Sequence, residues 1–252
     1  MALEIYQFSF GPLANYGVLL HDPSSGATAS IDAGSEASVM EALAKTGWAL
    51  SEIWITHHHG DHIEGVAAVR KQTGARVVGP SSIPDLDQTL SDNDSFEFAG
   101  HRVEVLHTPG HTLDMLNYYL PEEDLIFVGD TLFVVGCGRV FEGDFAMMHE
   151  SLQRLAALPP QTVVYCSHEY TEANADFALT VDPANEALIA RAEEVRRLRS
   201  EGKPTVPTTI ARELETNPFL RAHTPSVRTA VDMPDASDAE VFAEVRRRKD
   251  AA

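Results

Sequence analysis

Residues 56–62 read Thr56-His57-His58-His59-Gly60-Asp61-His62, four imidazoles and a carboxylate within seven positions. In an extended segment alternate side chains point the same way, so His57, His59 and Asp61 can converge on one side while His58 faces the other. His62 follows where the chain can turn into a helix, and so approaches from a second direction. Imidazole nitrogen and carboxylate oxygen suit zinc, iron or manganese. A polar loop or an exposed His tract has no reason to carry Asp at that position. The run predicts a metal site.

The elements that must position this run are short. Glu52-Ile53-Trp54-Ile55 is an apolar strand that ends at the histidines, and Ile63 to Gln72 reads as the helix that follows. Three other strands also end in ligand types. Residues 103–106 lead to Thr108-Pro109-Gly110-His111, 125–128 to Gly129-Asp130-Thr131, and 162–165 to Cys166-Ser167-His168-Glu169. Chemical groups gathered on loops at one sheet edge are a common way to mount a site on a rigid scaffold.

Strands at 4–8, 16–20 and 27–31, a helix over 35–44 and a strand at 76–79 complete a strand–helix rhythm of helices covering a sheet. Asp144 is an N-cap candidate for a helix with Met148, Leu152 and Leu155 on one face. Beyond about residue 170 the pattern turns helical. Asp182-Pro183 reads as an N-cap with Pro at the first helical position, and Ser237-Asp238-Ala239-Glu240 as a capping box. A β-rich domain over 1–169 and a small helical domain over 170–252 are expected.

A formal net charge of −19 opposes binding to nucleic acid or to an anionic membrane. No apolar run approaches the ~18 residues that span a bilayer, and Met1 to Gln7 lacks the basic and apolar regions of a secretory leader. Cys137 and Cys166 make neither a disulfide framework nor a Cys-x-x-Cys clip. A reduced, cytoplasmic setting and a monomer are the expectations.

The stretch His57-His58-His59-Gly60-Asp61-His62 resembles the HxHxDH signature of the metallo-β-lactamase superfamily. Further segments are similar to one family within it, the glyoxalase II enzymes, or hydroxyacylglutathione hydrolases. They are Thr108–Thr112, Gly129–Phe133, Gly136–Arg139, Tyr165–Thr171, Pro204–Thr209 and Asn217-Pro218-Phe219. The resemblance implies an α/β fold, an αββα sandwich of two sheets flanked by helices, followed by an all-helical domain. It implies two divalent metals, with zinc expected first and iron or manganese accepted by the same set. His57, His59 and His111 would hold one, Asp61, His62 and His168 the other, and Asp130 would bridge them. Asp32, after strand 27–31, is either an orienting partner for a ligand histidine or an ordinary turn residue.

The reaction implied is hydrolysis of S-D-lactoylglutathione to D-lactate and glutathione, the second step of methylglyoxal detoxification. A metal pair generates hydroxide near neutral pH and polarises the carbonyl. A thiolate, with a free thiol pKa of ~8.5, leaves without a strong acid. By resemblance, Arg139, Phe141 and Tyr170 line the glutathione pocket, and Arg246 and Lys249 take its glycine carboxylate. Phe141 stands where relatives often carry tyrosine, Gly60 where they carry a bulky residue, and Leu113-Asp114-Met115 where Ser-Gly-His is common. Two rival readings remain at this point: a glutathione persulfide dioxygenase with one iron, and a non-catalytic protein that binds metal or a thiol ligand.

Overall fold

A computed structural model describes residues 2–252. The chain divides into two compact units, one running up to His107 with Asp114–Glu123, the other Thr108–Leu113 with Asp124–Ala252.

The first unit begins with β1 (Glu4–Phe10), β2 (Asn15–His21), β3 (Thr28–Ile31), α1 (Glu36–Thr46) and β4 (Glu52–Trp54). It continues through α2 (Gly60–Ile63), α3 (Val66–Thr73), β5 (Arg76–Gly79) and β6 (Gln88–Thr89), then β7 (Ser95–Phe98), β8 (His101–His107) and β9 (Leu116–Leu120). Strands β1 to β3 pair antiparallel, and β3 to β6 pair parallel. The β3–β4 and β4–β5 pairs need crossovers, which α1 and then α2 with α3 supply. Ser35 caps α1 by accepting from the Ser38 amide, and Gly47 ends it in the left-handed conformation.

Alternation along β4 decides what each face meets. Ile53 joins Leu19, Val39, Leu43, Val69 and Val77 in the layer beneath α1 and α3. Trp54 points the opposite way, into the antiparallel β7–β8–β9 sheet. Its ring stands edge-on to Phe96 at 5.2 Å and Phe98 at 5.3 Å, with Tyr118 at 5.5 Å. The Tyr118 hydroxyl donates to the Ile55 carbonyl at 2.6 Å. The unit is therefore layered helix, sheet, sheet. Phe96 and Phe98 lie on a strand the sequence pattern did not mark, because Ser95-Phe96-Glu97-Phe98 is short and close to Asp-rich turns.

The second unit carries β10 (Leu125–Phe127), β11 (Leu132–Phe133), β12 (Gly136–Cys137), α4 (Phe145–Ala156) and β13 (Val163–Tyr165). Then come α5 (Thr171–Val181), α6 (Glu186–Ser200), β14 (Thr208–Thr209), α7 (Ile210–Thr216), α8 (Pro225–Ala230) and α9 (Asp238–Asp250). β10 and β13 run parallel with Phe127 opposite Tyr165, so the loops carrying Asp130 and His168 leave from one edge. The Asp144 cap and the Ser237/Glu240 capping box form as expected. Asp182 does not open a helix. It ends α5, and Asn185 caps α6 by accepting from the Leu188 amide. The Asp182 carboxylate accepts from Arg221 and Asn185 instead.

A buried carboxylate organises this unit. Glu213 is fully enclosed and accepts from the Val135 amide (2.8 Å), the Thr208 hydroxyl (2.8 Å) and the Asn217 amide (2.9 Å). Asn217 also donates to the Gly136 carbonyl at 2.9 Å. These bonds hold the turn between β11 and β12, where Val135 adopts φ +55, a conformation a β-branched residue avoids. The Pro204–Thr209 and Asn217–Phe219 segments thus meet on one hairpin.

Two predictions follow from these cores. Trp54→Ala should lower the unfolding free energy by about 3–5 kcal/mol in denaturant melts, as large aromatic truncations do. Burial raises the Glu213 carboxyl above its ordinary range, so its contribution to stability is lost as pH rises through its folded pKa. Glu213→Gln does not titrate. Its stability relative to the native chain should therefore improve as pH rises from about 4 to about 7, measured by melts across that range.

Candidate metal centre

The parallel register of β3 and β4 sets Ile31 opposite Trp54, which brings Asp32 alongside Thr56. Asp32 sits at φ +58, its amide bonded to the Trp54 carbonyl. Its Oδ1 accepts from the Thr56 amide at 2.7 Å, and its Oδ2 from the Thr56 hydroxyl and His62 Nδ1, both at 2.8 Å. The turn-residue alternative falls away. Asp32 orients a histidine.

These contacts settle which ring nitrogens carry protons. The one Thr56 hydroxyl proton goes to Asp32, so His57 Nδ1 donates to Thr56 Oγ1 across 3.0 Å. His62 Nδ1 donates to a carboxylate, which only accepts. Both rings therefore present a basic Nε2, the atom a metal takes. The His57 ring centroid lies 4.7 Å from that of His59 and 4.1 Å from that of His62. Asp61 Oδ2 lies 3.7 Å from His62 Nε2 and accepts from Asn15 Nδ2 at 2.8 Å. Ligand atoms of His57 and His59, of His57 and His62, and of Asp61 and His62 come within 4.8 Å of one another. His58 has its Nδ1 on Asp114 Oδ1 at 3.0 Å, as expected of a side chain outside the set.

The second unit builds its own group. Asp130 Oδ2 lies 3.4 Å from His111 Nε2 and 3.2 Å from His168 Nε2. His111 Nδ1 donates to the Arg139 carbonyl at 2.7 Å, which again leaves Nε2 as the basic atom. The His168 ring stacks on Tyr170 at 4.7 Å, and Phe133 stands edge-on to both. All three of His111, Asp130 and His168 are buried. A buried carboxylate and imidazoles with fixed basic nitrogens are the donor set a divalent ion requires. The residues fit the metal.

Residues 17–86 and 79–168 match the Metallo-beta-lactamase superfamily, and residues 169–252 match the Hydroxyacylglutathione hydrolase C-terminus. A hydroxyacylglutathione hydrolase of Rhizobium meliloti is 54% identical over 240 residues, covering 94% of this chain and 94% of its own length. One from Brucella anthropi is 52% identical over 252 residues, covering 98% and 96%. This chain belongs to the hydroxyacylglutathione hydrolase family.

Solved structures agree on the fold. ETHE1 from Myxococcus xanthus superposes with a TM-score of 0.68 at 25% identity, covering 98% of this chain and 99% of that one. The BLEG-1 B3 metallo-β-lactamase gives 0.65 at 23% identity, covering 86% and 99%. The fold is the mixed α/β metallo-β-lactamase fold with a helical C-terminal segment, and its His/Asp groups fit a two-metal site.

The residues that family resemblance assigns to the thioester side sit in the second unit. Phe141 is 59% exposed, and its ring stands edge-on to His111 at 5.2 Å. The Arg139 guanidinium lies 5.9 Å from the Phe141 ring, and its Nε donates to Asp250 Oδ1 at 3.2 Å. Tyr170 lies on His168. Lys249 donates to the Ala173 carbonyl at 2.9 Å over the Phe177 ring. Its pKa is lowered, first by burial and then by the neighbouring Arg246 charge. Arg246 is only 4% exposed, donating to the Cys137 carbonyl at 3.0 Å and to Asp250 at 2.9 Å.

Sequence reasoning missed Asn15 and did not single out Gly138 for a role at the metal ligands. Nothing local in Asn15 marks it as a partner of Asp61, 46 positions away. Gly138 was legible only as part of a family segment. A Cβ there would fall 2.0 Å from the Asp130 carbonyl oxygen and 3.1 Å from His111 Nδ1. Gly138→Ala should therefore displace Asp130 and His111 together, and bound metal measured by elemental analysis should drop while helix content by circular dichroism holds.

Proposed function

We propose that this chain hydrolyses S-D-lactoylglutathione to D-lactate and glutathione, with two divalent ions that His57, His59, His111, Asp61, His62, His168 and Asp130 would hold. What carries the reading is identity to hydroxyacylglutathione hydrolases over nearly the whole chain, together with all seven ligand types present and buried or half-buried. Metals bound there, zinc first and iron or manganese otherwise, would supply acidification of water towards neutral pH and Lewis acidity at the thioester carbonyl.

The chain's own residues do the rest. Asp32 holds His62 and, through Thr56, His57 in the tautomer that leaves Nε2 basic. Asn15 restrains Asp61, and the Arg139 carbonyl restrains His111. Tyr170 and Phe141, flanking His168 and His111, shape the approach of the thioester. Arg139, Lys249 and Arg246 provide the positive charge for a substrate carboxylate on a protein of net charge −19. The leaving thiolate needs no side-chain acid, because it is a weak base. Among the described residues no helix is long and apolar enough to cross a membrane. A monomer in the cytoplasm, without nucleic-acid or membrane partners, is the setting we propose.

The decisive assay follows lactoylglutathione hydrolysis by metal-loaded protein. Asp32→Asn should cost about 10–100-fold in activity or metal affinity, as outer partners of ligand histidines do. His59→Ala and Asp130→Ala should cost more. Lys249→Ala should raise KM with kcat nearly constant, and Arg246→Ala should raise KM and also lower stability, since it unpacks Phe219. Oxygen uptake on glutathione persulfide without thioester hydrolysis would overturn the reading.

A further inference from the structure

Asp250, the last residue of α9, touches two of the cations assigned above. Its Oδ1 alone accepts from Arg139 Nε at 3.2 Å and from Arg246 Nη2 at 2.9 Å. Arg246 keeps a second bond to the Cys137 carbonyl, so it stays in place whether or not the carboxylate is there. Arg139 has an exposed side chain, held by Asp250 and by proximity to the Phe141 ring. Lys249 is the neighbouring residue on the helix.

We propose that Asp250 is a placeholder carboxylate, occupying Arg139 and Arg246 in the free protein and yielding them to the carboxylate of the incoming thioester. The inference rests on the reading that these cations receive a substrate carboxylate. The two anions are chemically alike and compete for the same guanidinium donors. The Arg139–Asp250 pair is exposed and weak, and the buried Arg246 keeps the Cys137 carbonyl as an acceptor when Asp250 leaves, so a ligand carboxylate displaces Asp250 at a cost of only a few-fold in affinity. That cost is the point of the arrangement. The cations are never left as an open anion trap, and the product, which keeps the same carboxylate, is met by a competitor that speeds its departure. Asp250 thereby sets affinity at the recognition end and leaves the bond-breaking end alone.

The test measures kcat, KM and inhibition by free glutathione for the native enzyme and Asp250→Asn. It uses lactoylglutathione and its analogue with a glycine carboxamide in place of the terminal carboxylate. Competition predicts that Asp250→Asn lowers KM for lactoylglutathione and the glutathione inhibition constant by about threefold each. kcat should be unchanged where chemistry limits, and KM for the carboxamide unchanged. Asp250→Glu, which keeps the anion, should stay near the native values. If Asp250 instead braces Arg139 for the substrate, Asp250→Asn raises KM, and the proposal fails. An unchanged KM for lactoylglutathione also sinks it. Native enzyme that treats the acid and the carboxamide alike would show that no cation receives the carboxylate, overturning the underlying reading and this inference with it.

Discussion

The carboxylate of Asp32 is the fixed point from which the histidine run takes its shape. It binds the backbone and side chain of Thr56 and the ring of His62 at once, three bonds on two oxygens. The left-handed backbone at Asp32 is costly for a residue with a Cβ, of order 1 kcal/mol or more. The three bonds that the carboxylate makes to Thr56 and His62 offset that cost. With Thr56 anchored, the run has no freedom to slide, and a slip of one residue would exchange His57 and His59 for His58.

The same logic governs the second unit with different parts. There β10 and β13 lie parallel, and their C-terminal loops deliver Asp130 and His168 from one edge. What corresponds to Asp32 is distributed. A main-chain carbonyl, that of Arg139, fixes the tautomer of His111. Gly138 lets that segment pass against the Asp130 backbone, and Glu213 pins the hairpin whose Phe133 packs on His168. A carbonyl cannot be recognised from residue type, which is why this support is silent in the sequence while Asp32 at least raised the question.

Legibility followed the range of the interaction. The ligand candidates were visible because spacing of two in a strand, and the ends of apolar strands, are local signals. The caps at Ser237 and Asp144 were visible for the same reason. Asp182 misled because Asp-Pro is a strong helix-start pattern, yet its carboxylate had a partner 39 positions on, in Arg221. Glu213 gave no signal at all: its three donors come from positions 135, 208 and 217, and a glutamate in an amphipathic helix reads as a solvated one. The basic tail was read as a face by helical spacing. That spacing cannot tell that Arg246 is buried against Phe219 while Lys249 lies beside Phe177.

Burial also separates two kinds of polar group that composition counts alike. Cys137 and Cys166 are thiols in name, but enclosure pushes them up to about 11 and about 12, so neither offers a thiolate at neutral pH. Arg246 shows the converse, because a guanidinium keeps its charge when enclosed. It must then be given acceptors, and it takes the Cys137 carbonyl and Asp250. A charge that cannot be discharged has to be balanced, and here the Asp250 carboxylate balances it. In a chain with 38 acidic residues and 19 basic ones, competition for the cations is unavoidable. What the fold decides is which carboxylate wins it, and for Arg139 and Arg246 that is Asp250.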